Sequence, residues 1–283
     1  MSSSEKHASC LAQIPFDAAA ETYDDTFTDS FIGRAQRQVV WDELDHVFHS
    51  GDHVLELNCG TGVDAVRLGD RGVHVLACDV APRMIDVARR RLSNRETSVE
   101  FRTLATEKIL EIRESAHFTR FDGAFSNFAG LNCIEDLSRV ARDVAQLLKP
   151  RAQMVLCLFG RFCAWEVLWY MAHGRPGKAF RRLRMNGCTA HPTGSSAPVH
   201  VRYYSIRRLV SIFSPEFQLK RWKGVGIAVP PSYIEPLAQK FRGVLDGLVS
   251  LDCRLCSLPI IRGLADHISL TFERMDDRGS APV

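Results

Sequence analysis

The sequence predicts an α/β fold with a mostly parallel sheet. Between residues 53 and 159, strand-like segments alternate with segments of helical periodicity. This alternation is typical of strand–helix–strand units, in which the strands pair in parallel and the helices cover both faces of the sheet. The chain has 283 residues, of which 46% are hydrophobic and 24% charged. It can therefore bury the core that such a domain requires.

The individual elements follow from local patterns. Residues 16–48 carry apolar side chains near a period of about 3.6 residues, which predicts helix. Strands are expected at "HVLEL", "VHVLACD", "SVEFRT", "FDGAFSN" and "AQMVLCLF". Helices are expected between them at "GVDAVRLGDRG", ending at Gly72, at "APRMIDVARRRL", with Pro82 in its first turn, and at "EDLSRVARDVAQLL".

The regular pattern stops at residue 160. Residues 160–200 are rich in aromatic residues, arginine, glycine and proline, and we interpret them as a lid or acceptor-binding insertion after the fifth strand. A helix at "SIRRLVSIF", a strand at "FQLKRWKGVGIAV", a helical stretch over 233–264 and a strand at "HISLTFER" are expected to follow. The expected organisation is a disordered segment 1–15, a core over 16–159 with an N-terminal helical cover, the insertion 160–200, the rest of the core over 201–275 and a disordered tail 276–283.

Composition argues against several classes of protein. The net charge of +3 is too small to indicate a nucleic-acid partner. No window approaches the roughly 18 unbroken apolar residues of a membrane-spanning helix, and the start, "MSSSEKHASCLAQ", lacks the apolar core of a secretory signal. Most of the nine cysteines lie in apolar runs, which predicts a cytoplasmic location. Cys253 and Cys256 form a CxxC pair without a second one, so we expect packing there and no metal site.

The stretch "VLELNCGTGVD" places two glycines between the first strand and the first helix of the alternating region. A triphosphate loop would need a lysine after its glycines, and this loop has none. A dinucleotide site would place a pyrophosphate at the helix N-terminus, and Ala65 could serve as its third small residue. However, Glu56 stands two residues ahead of the loop. A carboxylate there gains nothing from a pyrophosphate, whereas it attracts the ammonium and sulfonium of S-adenosylmethionine.

The second strand ends on an acid, Asp79, seventeen residues after Gly62. A carboxylate at this place can accept hydrogen bonds from both hydroxyls of a ribose. By itself, Asp79 could also be a turn acid or a helix cap ahead of Pro82. Together with Glu56 and the glycine pair, it favours a site for S-adenosylmethionine.

Three segments carry a resemblance to a known family. "VLELNCGTG", "ACDVAPRMIDVARRRL" and "LLKPRAQMVL" make the chain similar to the class I S-adenosylmethionine-dependent methyltransferases, over about residues 16–160 and, in outline, over the last two strands. The resemblance implies a Rossmann-like sheet of seven strands with an antiparallel last strand. It also implies that Glu56 lies near the methionine amine, that Asp79 binds ribose and that Met84 packs near the adenine.

Two positions depart from the family pattern. Asn58 stands where the family usually has glycine, and asparagine tolerates the positive φ that such a loop needs. Ala105 and Thr106 stand where the family commonly has an acid near the adenine, so backbone contacts or the threonine hydroxyl are expected to replace it. The full set expected to bind the cofactor is Tyr23, Arg37, Glu56, Asn58, Gly60, Thr61, Gly62, Asp79, Val80, Met84, Ala105, Thr106, Ser126 and Asn127.

Within that set, Tyr23 is expected to close the site. Arg37 is interpreted either as a partner of the methionine carboxylate or as a solvated helix residue. Ser126 and Asn127 follow the fourth strand, where family members that methylate nucleic-acid amines carry a proline pair. The "SNFA" of this chain lacks that pair. We therefore expect a small-molecule acceptor and no nucleic acid, with Ser126 and Asn127 near the methionine part of the cofactor.

The insertion over residues 160–200 is the candidate for acceptor binding, because segments beyond the carboxyl ends of parallel strands form the binding crevice of such folds. Its apolar cluster is interpreted as an acceptor pocket or as the packed side of a lid helix. Its basic run is interpreted as a solvated face or as a peripheral contact with an anionic membrane. The apolar cluster comprises Phe162, Trp165, Leu168, Trp169 and Met171, and the basic run comprises Arg175, Lys178, Arg181, Arg182 and Arg184.

The sequence thus predicts an S-adenosylmethionine-dependent methyltransferase that acts on a small, apolar or aromatic acceptor. A non-catalytic subunit that binds the same cofactor, and an NAD(P)-dependent oxidoreductase, stay open as alternatives. No catalytic base is selected, and the oligomeric state is left open. Candidates for the base on the insertion and just after it are His173, His191, His200, Tyr203 and Tyr204.

Overall fold

The computed structural model describes residues 15–184, 186–190 and 197–276. Apart from residues 15 and 276, the two segments expected to be disordered lie outside the described residues, and so does His191. No helix within the described ranges is both long enough and apolar enough to cross a membrane.

A seven-stranded sheet forms the centre of the fold, in the order β3-β2-β1-β4-β5-β9-β8. Only β9 runs antiparallel to its neighbours, β5 and β8. The expected mostly parallel sheet with an antiparallel last strand is therefore confirmed. Its strands are β1 (His53–Leu57), β2 (His74–Asp79), β3 (Val99–Thr103), β4 (Phe121–Ser126), β5 (Leu148–Phe159), β8 (Phe217–Val225) and β9 (His267–Arg274), and a separate two-stranded hairpin consists of β6 (Cys188–Ala190) and β7 (Val199–Val201).

Helices connect the strands, and side chains cap several of them. Ser30, Asp136 and Ser205 each accept a hydrogen bond from a backbone amide in the first turn of the helix that follows, as Ser and Asp commonly do. The described helices are α1 (Ala20–Tyr23), α2 (Phe31–Val47), α3 (Val63–Gly69), α4 (Pro82–Leu92), α5 (Leu137–Leu147), α6 (Ala164–Ala172), α7 (Pro176–Ala179), α8 (Ile206–Phe213), α9 (Glu235–Ala238) and α10 (Arg242–Leu255).

The core lies in two layers, one on each face of the sheet. On one face, α5 and α8 pack against the central strands through residues such as Val144 and Leu209. On the other face, α2, α3 and α4 pack through residues such as Leu44, Leu68 and Ile85. This arrangement confirms the expected helices on both faces.

The structure differs from the predicted elements at several boundaries. β5 begins at Leu148 and not at Ala152, because Arg151 adopts a φ of 63° and lets the "KPR" segment continue the strand across a register shift. α3 ends at Gly69, and the chain then turns to Gly72, whose φ is 83°. A π-helical turn at Asp24–Thr28 interrupts the N-terminal helical region. The insertion contains α6 and α7, in the region where one interpretation placed a lid helix, and the β6–β7 hairpin, which was not predicted.

Candidate functional site

A cavity of about 290 Å³ opens at the carboxyl ends of β1, β2 and β4. β1 and β4 are neighbours in the sheet, although β2 and β3 lie between them in sequence. The chain segments that follow β1 and β4 therefore diverge and leave a crevice at the ends of these two strands. We call this space the first cavity. Among the residues expected to bind the cofactor, its lining includes Tyr23, Arg37, Glu56, Asn58, Gly60, Thr61, Asp79, Val80, Met84, Thr106 and Asn127.

The loop after β1 keeps its glycine-type conformation although it begins with asparagine. Asn58 has a φ of 56°, which confirms that asparagine accepts the left-handed region here. Its side chain also connects three loops: the Nδ2 group donates to Thr106 Oγ1 at 3.1 Å, and Ser126 Oγ donates to Asn58 Oδ1 at 3.4 Å. Asn58 thus replaces the flexibility of glycine by fixed side-chain contacts.

The two glycines of the loop have different surroundings. Gly60 lines the first cavity, and a Cβ atom built on it meets nothing within 4 Å. A Cβ on Gly62 would lie 2.6 Å from Phe101 Cζ and 2.8 Å from Ala88 Cβ. Gly62 is outside the lining of the first cavity. Glycine is required at this position by a φ of 74° and by the close approach of Phe101 and Ala88.

Asp79 is buried at the end of β2 and faces the glycine loop. One carboxylate oxygen accepts from the Gly60 amide and the other from the Ala81 amide, both at 2.9 Å. Burial raises the pKa of Asp79, although these amides oppose the shift. Asp79 therefore binds the amides of the glycine loop and of Ala81, the residue just before α4, and each of its oxygens keeps a lone pair for a further donor.

Glu56 is 1% exposed, and its Oε2 has no hydrogen-bond partner among the described residues. Burial and, second, the negative charge of Asp64 raise the pKa of Glu56 well above its ordinary value. A buried carboxyl group with an unused oxygen beside a cavity is a strong candidate for meeting a cationic ligand.

Arg37 is buried and pairs with a carboxylate of the chain itself. Its Nη1 lies 2.6 Å from Asp64 Oδ2, and its guanidinium lies over the Phe128 ring at 4.6 Å. Asp64 also accepts from Trp41 Nε1 and Asn127 Nδ2. The interpretation of Arg37 as a solvated helix residue is therefore wrong. Our sequence reasoning missed Asp64, and its signal was an acid in the first turn after the glycine loop.

The N-terminal cover is tied directly to the loop. Thr61 Oγ1 donates to Asp24 Oδ1 at 2.7 Å, and Arg91 of α4 pairs with the same aspartate. These contacts hold the adjacent Tyr23 at the lining of the first cavity. Burial raises the pKa of the Tyr23 phenol to about 12, so the hydroxyl stays neutral and can donate a hydrogen bond.

The other expected residues divide into two groups. Val80, Met84 and Thr106 line the first cavity, with Val80 42% exposed and Met84 buried. Ala105 and Ser126 do not line it. Glu107, however, lies next to Thr106 and does. An acid therefore follows β3 close to the place where the family commonly has one, one residue after Thr106.

A second cavity of about 360 Å³ adjoins the first, and both are lined by Phe16, Tyr23, Phe128 and Cys133. One interpretation placed an acceptor pocket around Trp165 and Trp169, but neither lines the first or the second cavity. Trp165 instead donates to the Ile227 carbonyl at 3.0 Å, and Trp169 packs on His173. The aromatic rings of the second cavity belong to Phe16, Tyr23, Phe27, Phe128, Phe159 and Tyr233.

A charged network closes one side of the second cavity. Glu166 pairs with both Arg181 and Arg182, and Arg182 pairs in turn with Asp266 at 2.6 Å. Burial raises the pKa of Asp266, but its contacts with His267 and Arg182 outweigh burial and lower the pKa below its ordinary value. The expected solvated basic face is therefore wrong for Arg182, which is 4% exposed.

Sequence and structure comparisons agree with this geometry. Residues 54–151 match the family described as a methyltransferase domain. Over 144 residues, the chain is 30% identical to a demethylmenaquinone methyltransferase of Clavibacter sepedonicus, covering 51% of this chain and 56% of that protein. Over 115 residues, it is 31% identical to a ubiquinone biosynthesis O-methyltransferase of Xylella fastidiosa, covering 41% and 45%. The chain thus spans about half the length of the curated relatives it matches.

The fold has counterparts among solved structures. The CcbJ methyltransferase of Streptomyces caelestis superimposes with a TM-score of 0.59 at 14% identity, covering 92% of this chain and 97% of that one. At this identity, the likeness concerns the fold alone. The family match supplies the assignment. Residues 54–151 are accordingly similar to a methyltransferase domain, and the resemblance of the chain to the class I S-adenosylmethionine-dependent methyltransferases is confirmed.

Proposed function

We propose that the first cavity binds S-adenosylmethionine and that the chain transfers its methyl group to a small aromatic acceptor. The observation that carries the proposal is the unused Oε2 of buried Glu56 beside the cavity. An ammonium group would supply the missing partner and favour the ionised carboxylate. The open space at the Cβ position of Gly60 fits a ligand that passes close to the backbone.

Other residues of the first cavity would hold the rest of the cofactor. Asp79 has lone pairs left for ribose hydroxyls after capping two amides. Val80 and Met84 offer apolar contacts to an adenine, and Glu107 stands beside them as a further acceptor of hydrogen bonds. Arg37 is held by Asp64, which favours a fixed position for it beside the methionine end. These assignments are proposals.

The second cavity is the proposed acceptor site. Six aromatic side chains line it, and such rings stack well on a planar apolar molecule. The relatives named for demethylmenaquinone and ubiquinone biosynthesis support an acceptor with an aromatic or quinone-like ring. The shared lining residues Tyr23, Phe128 and Cys133 would place this ring next to the cofactor.

The proposed reaction depends mainly on positioning. S-adenosylmethionine supplies a methyl group on a positively charged sulfur, which an acceptor atom attacks in line. The chain would hold the acceptor between Phe128 and Tyr233 and would exclude water through the N-terminal cover. A base is needed only when the acceptor must lose a proton.

Calorimetry with the purified protein tests the cofactor. S-adenosylmethionine and S-adenosylhomocysteine should bind, and NADH should not. Asp79→Ala should weaken cofactor binding at least about tenfold, because charge-assisted hydrogen bonds contribute about 1.5–3 kcal/mol each. Asp86→Ala is the matched control, since Asp86 is an exposed acid on α4. NADH binding without S-adenosylmethionine binding would favour the oxidoreductase and contradict the proposal.

Turnover separates an enzyme from a non-catalytic cofactor-binding subunit. Release of S-adenosylhomocysteine with a panel of hydroxylated benzenes and naphthalenes is expected from the enzyme. Tight cofactor binding without release of S-adenosylhomocysteine with any member of such a panel would favour the subunit.

A peripheral contact with an anionic membrane belongs to the same proposal, because lipophilic acceptors reside there. Leu168 and Met171 on α6 are 66% and 49% exposed, and Phe180 and Leu183 are 44% and 43% exposed. Arg175 and Lys178 on the same segment are exposed cations. Such a surface suits an anionic lipid interface. Cosedimentation with phosphatidylglycerol vesicles, but not with phosphatidylcholine vesicles, is expected, and Leu168→Ser should weaken it.

A further inference from the structure

His267 occupies a place in the site that no sequence argument assigned. It is the first residue of β9 and is 3% exposed, yet it lines the second cavity. Because β9 runs antiparallel to β5, its first residue pairs with Phe159, the last residue of β5. The antiparallel strand therefore brings a histidine to the edge of the sheet where the parallel strands end.

Aromatic contacts fix the orientation of the imidazole. The ring stacks on Phe159 with centroids 4.5 Å apart and an interplanar angle of 25°, and it meets the Phe128 ring edge-on at 5.4 Å. Phe128 lines both cavities. The same aromatic ring thus contacts His267 and lines the first cavity.

The two ring nitrogens of His267 face different surroundings. Nδ1 is buried and lies 3.3 Å from Asp266 Oδ2, an ion-pair contact without the alignment of a regular hydrogen bond. Nε2 makes no hydrogen bond with any described residue and is not among the buried polar atoms that lack a partner. The ring lines the second cavity, so Nε2 is the nitrogen available to a molecule bound there.

Asp266 is held as a carboxylate next to this ring. Its Oδ1 accepts from Arg182 Nη2 at 2.6 Å, and its Oδ2 faces both His267 and Gln36. A carboxylate beside Nδ1 favours the tautomer with the proton on Nδ1, which leaves a lone pair on Nε2. It also stabilises the imidazolium that forms when Nε2 takes up a proton.

We propose that His267, oriented by Asp266, is the general base for an acceptor hydroxyl, so that the chain is an O-methyltransferase. This inference rests on the proposed methyl transfer. The hydroxyl proton passes to Nε2 while the oxygen electron pair forms the new bond to the methyl carbon. The carbon–sulfur bond of S-adenosylmethionine breaks, and its electron pair stays on sulfur. The proton is released from His267 to solvent after the product leaves.

The charges around His267 are compatible with this role. Arg182 lies over Phe159, on which the imidazole stacks, and it is neutralised by Asp266 and Glu166. Arg37 lies over Phe128 and is neutralised by Asp64. Arg181, Tyr23, Tyr233 and Cys133 also line the two cavities. Among the described residues, Asp266 is the ionisable side chain in ion-pair contact with the imidazole, so it is the group that orients it.

The test uses 4-nitrocatechol, a phenol whose ionisation changes its absorption spectrum, bound to the protein saturated with S-adenosylhomocysteine. The wild type should bind the probe as the phenolate at a pH at which the free probe is mainly the phenol. His267→Phe, which keeps the stacking on Phe159, and His267→Gln, which keeps polarity, should bind it as the phenol. His49→Gln is the matched control, since the His49 side chain is 73% exposed and lines neither cavity, and it should leave the spectrum unchanged.

Kinetics with S-adenosylmethionine and the same probe provide a second measurement. Loss of a general base should lower kcat at least about a hundredfold with little change in KM. A phenolate spectrum in both His267 variants would overturn the base while leaving the aromatic acceptor site intact. A probe that does not bind the wild type would overturn the site and the base together. Failure of S-adenosylhomocysteine to bind would instead contradict the proposed function itself.

Discussion

Arg37 of α2 and Asp64 of α3 form a buried ion pair, with 2.6 Å between Arg37 Nη1 and Asp64 Oδ2. Each side chain is 6% exposed. The pair joins the helix before the sheet to the helix that follows the glycine loop, and Trp41 and Asn127 donate to the same carboxylate. The position of Arg37 at the first cavity therefore depends on Asp64.

Removing the charge of Asp64 should destabilise the protein. Asp64→Asn leaves the Arg37 guanidinium buried without a counter-ion, which costs about 3–5 kcal/mol of unfolding free energy. Chemical denaturation measures the loss. Asp70→Asn is the matched control, because Asp70 pairs with Arg95 at the surface and such pairs contribute about 1 kcal/mol or less. Equal losses in the two variants would contradict the structural role of the pair.

Glu56 should release a proton when the cofactor binds. Its folded pKa lies well above the ordinary value because of burial and Asp64. The empty protein therefore loses stability as the pH rises from the unfolded to the folded pKa. A bound ammonium group favours the carboxylate, so cofactor affinity should rise across the same pH window.

Calorimetry in two buffers of different ionisation enthalpy counts the released protons. Glu56→Gln should remove the contribution of Glu56, while the smaller contribution of Asp79, whose pKa is also raised, should persist. If Glu56→Gln releases as many protons as the wild type, Glu56 does not meet the cofactor cation.

Replacing Gly60 or Gly62 by alanine should distinguish a glycine that the fold needs from a glycine that cofactor binding needs. Gly62→Ala adds a Cβ against Phe101 and Ala88 at a φ of 74°. It should cost about 2–4 kcal/mol through overpacking and left-handed strain. Gly60→Ala should cost only about 1–2 kcal/mol of strain and should weaken cofactor binding more than tenfold. Thermal melting and calorimetry on both variants check this. A Gly60→Ala protein with unchanged affinity would mean that no ligand approaches this backbone.

Alanine substitutions of Trp165 and Tyr233 should have different effects, the first on the stability of the protein and the second on acceptor binding. Trp165→Ala removes a ring and the hydrogen bond to the Ile227 carbonyl. It should lower the unfolding free energy by roughly 2–3 kcal/mol without changing acceptor KM. Tyr233→Ala removes a ring from the second cavity and should raise acceptor KM about tenfold, or about 1.4 kcal/mol. Acceptor kinetics that respond to Trp165 and not to Tyr233 would move the acceptor site to α6.

Local patterns were sufficient for the framework of the first cavity. The glycine loop, Glu56 and Asp79 lie at the ends of β1 and β2, and each is recognisable within a window of a few residues. Strand ends in a parallel sheet share one edge, so their order along the chain already predicts that they meet. Asn58 could be assigned a positive φ for the same local reason.

Contacts between side chains far apart in the sequence could not be predicted from local patterns. The partner of Arg37 could not be chosen from its helix, because an arginine in a helix has similar local patterns whether it is solvated or buried. Trp165 belongs to an apolar cluster in the sequence, but packing turned it toward the Ile227 carbonyl, 62 positions away. The direction of a side chain on an insertion depends on contacts with distant elements.

The sequence by itself determined the α/β class, the mostly parallel sheet and the first cavity, because alternation, glycine spacing and acids at strand ends are short-range properties. Only the tertiary structure decided what surrounds the second cavity. Asp266 and His267 adjoin in the sequence, but they reach Phe159 through the antiparallel register of β9 and reach Arg182 through the folded insertion. Such contacts join residues about 80 or more positions apart, and the packing of the whole core selects them, which no local pattern can encode.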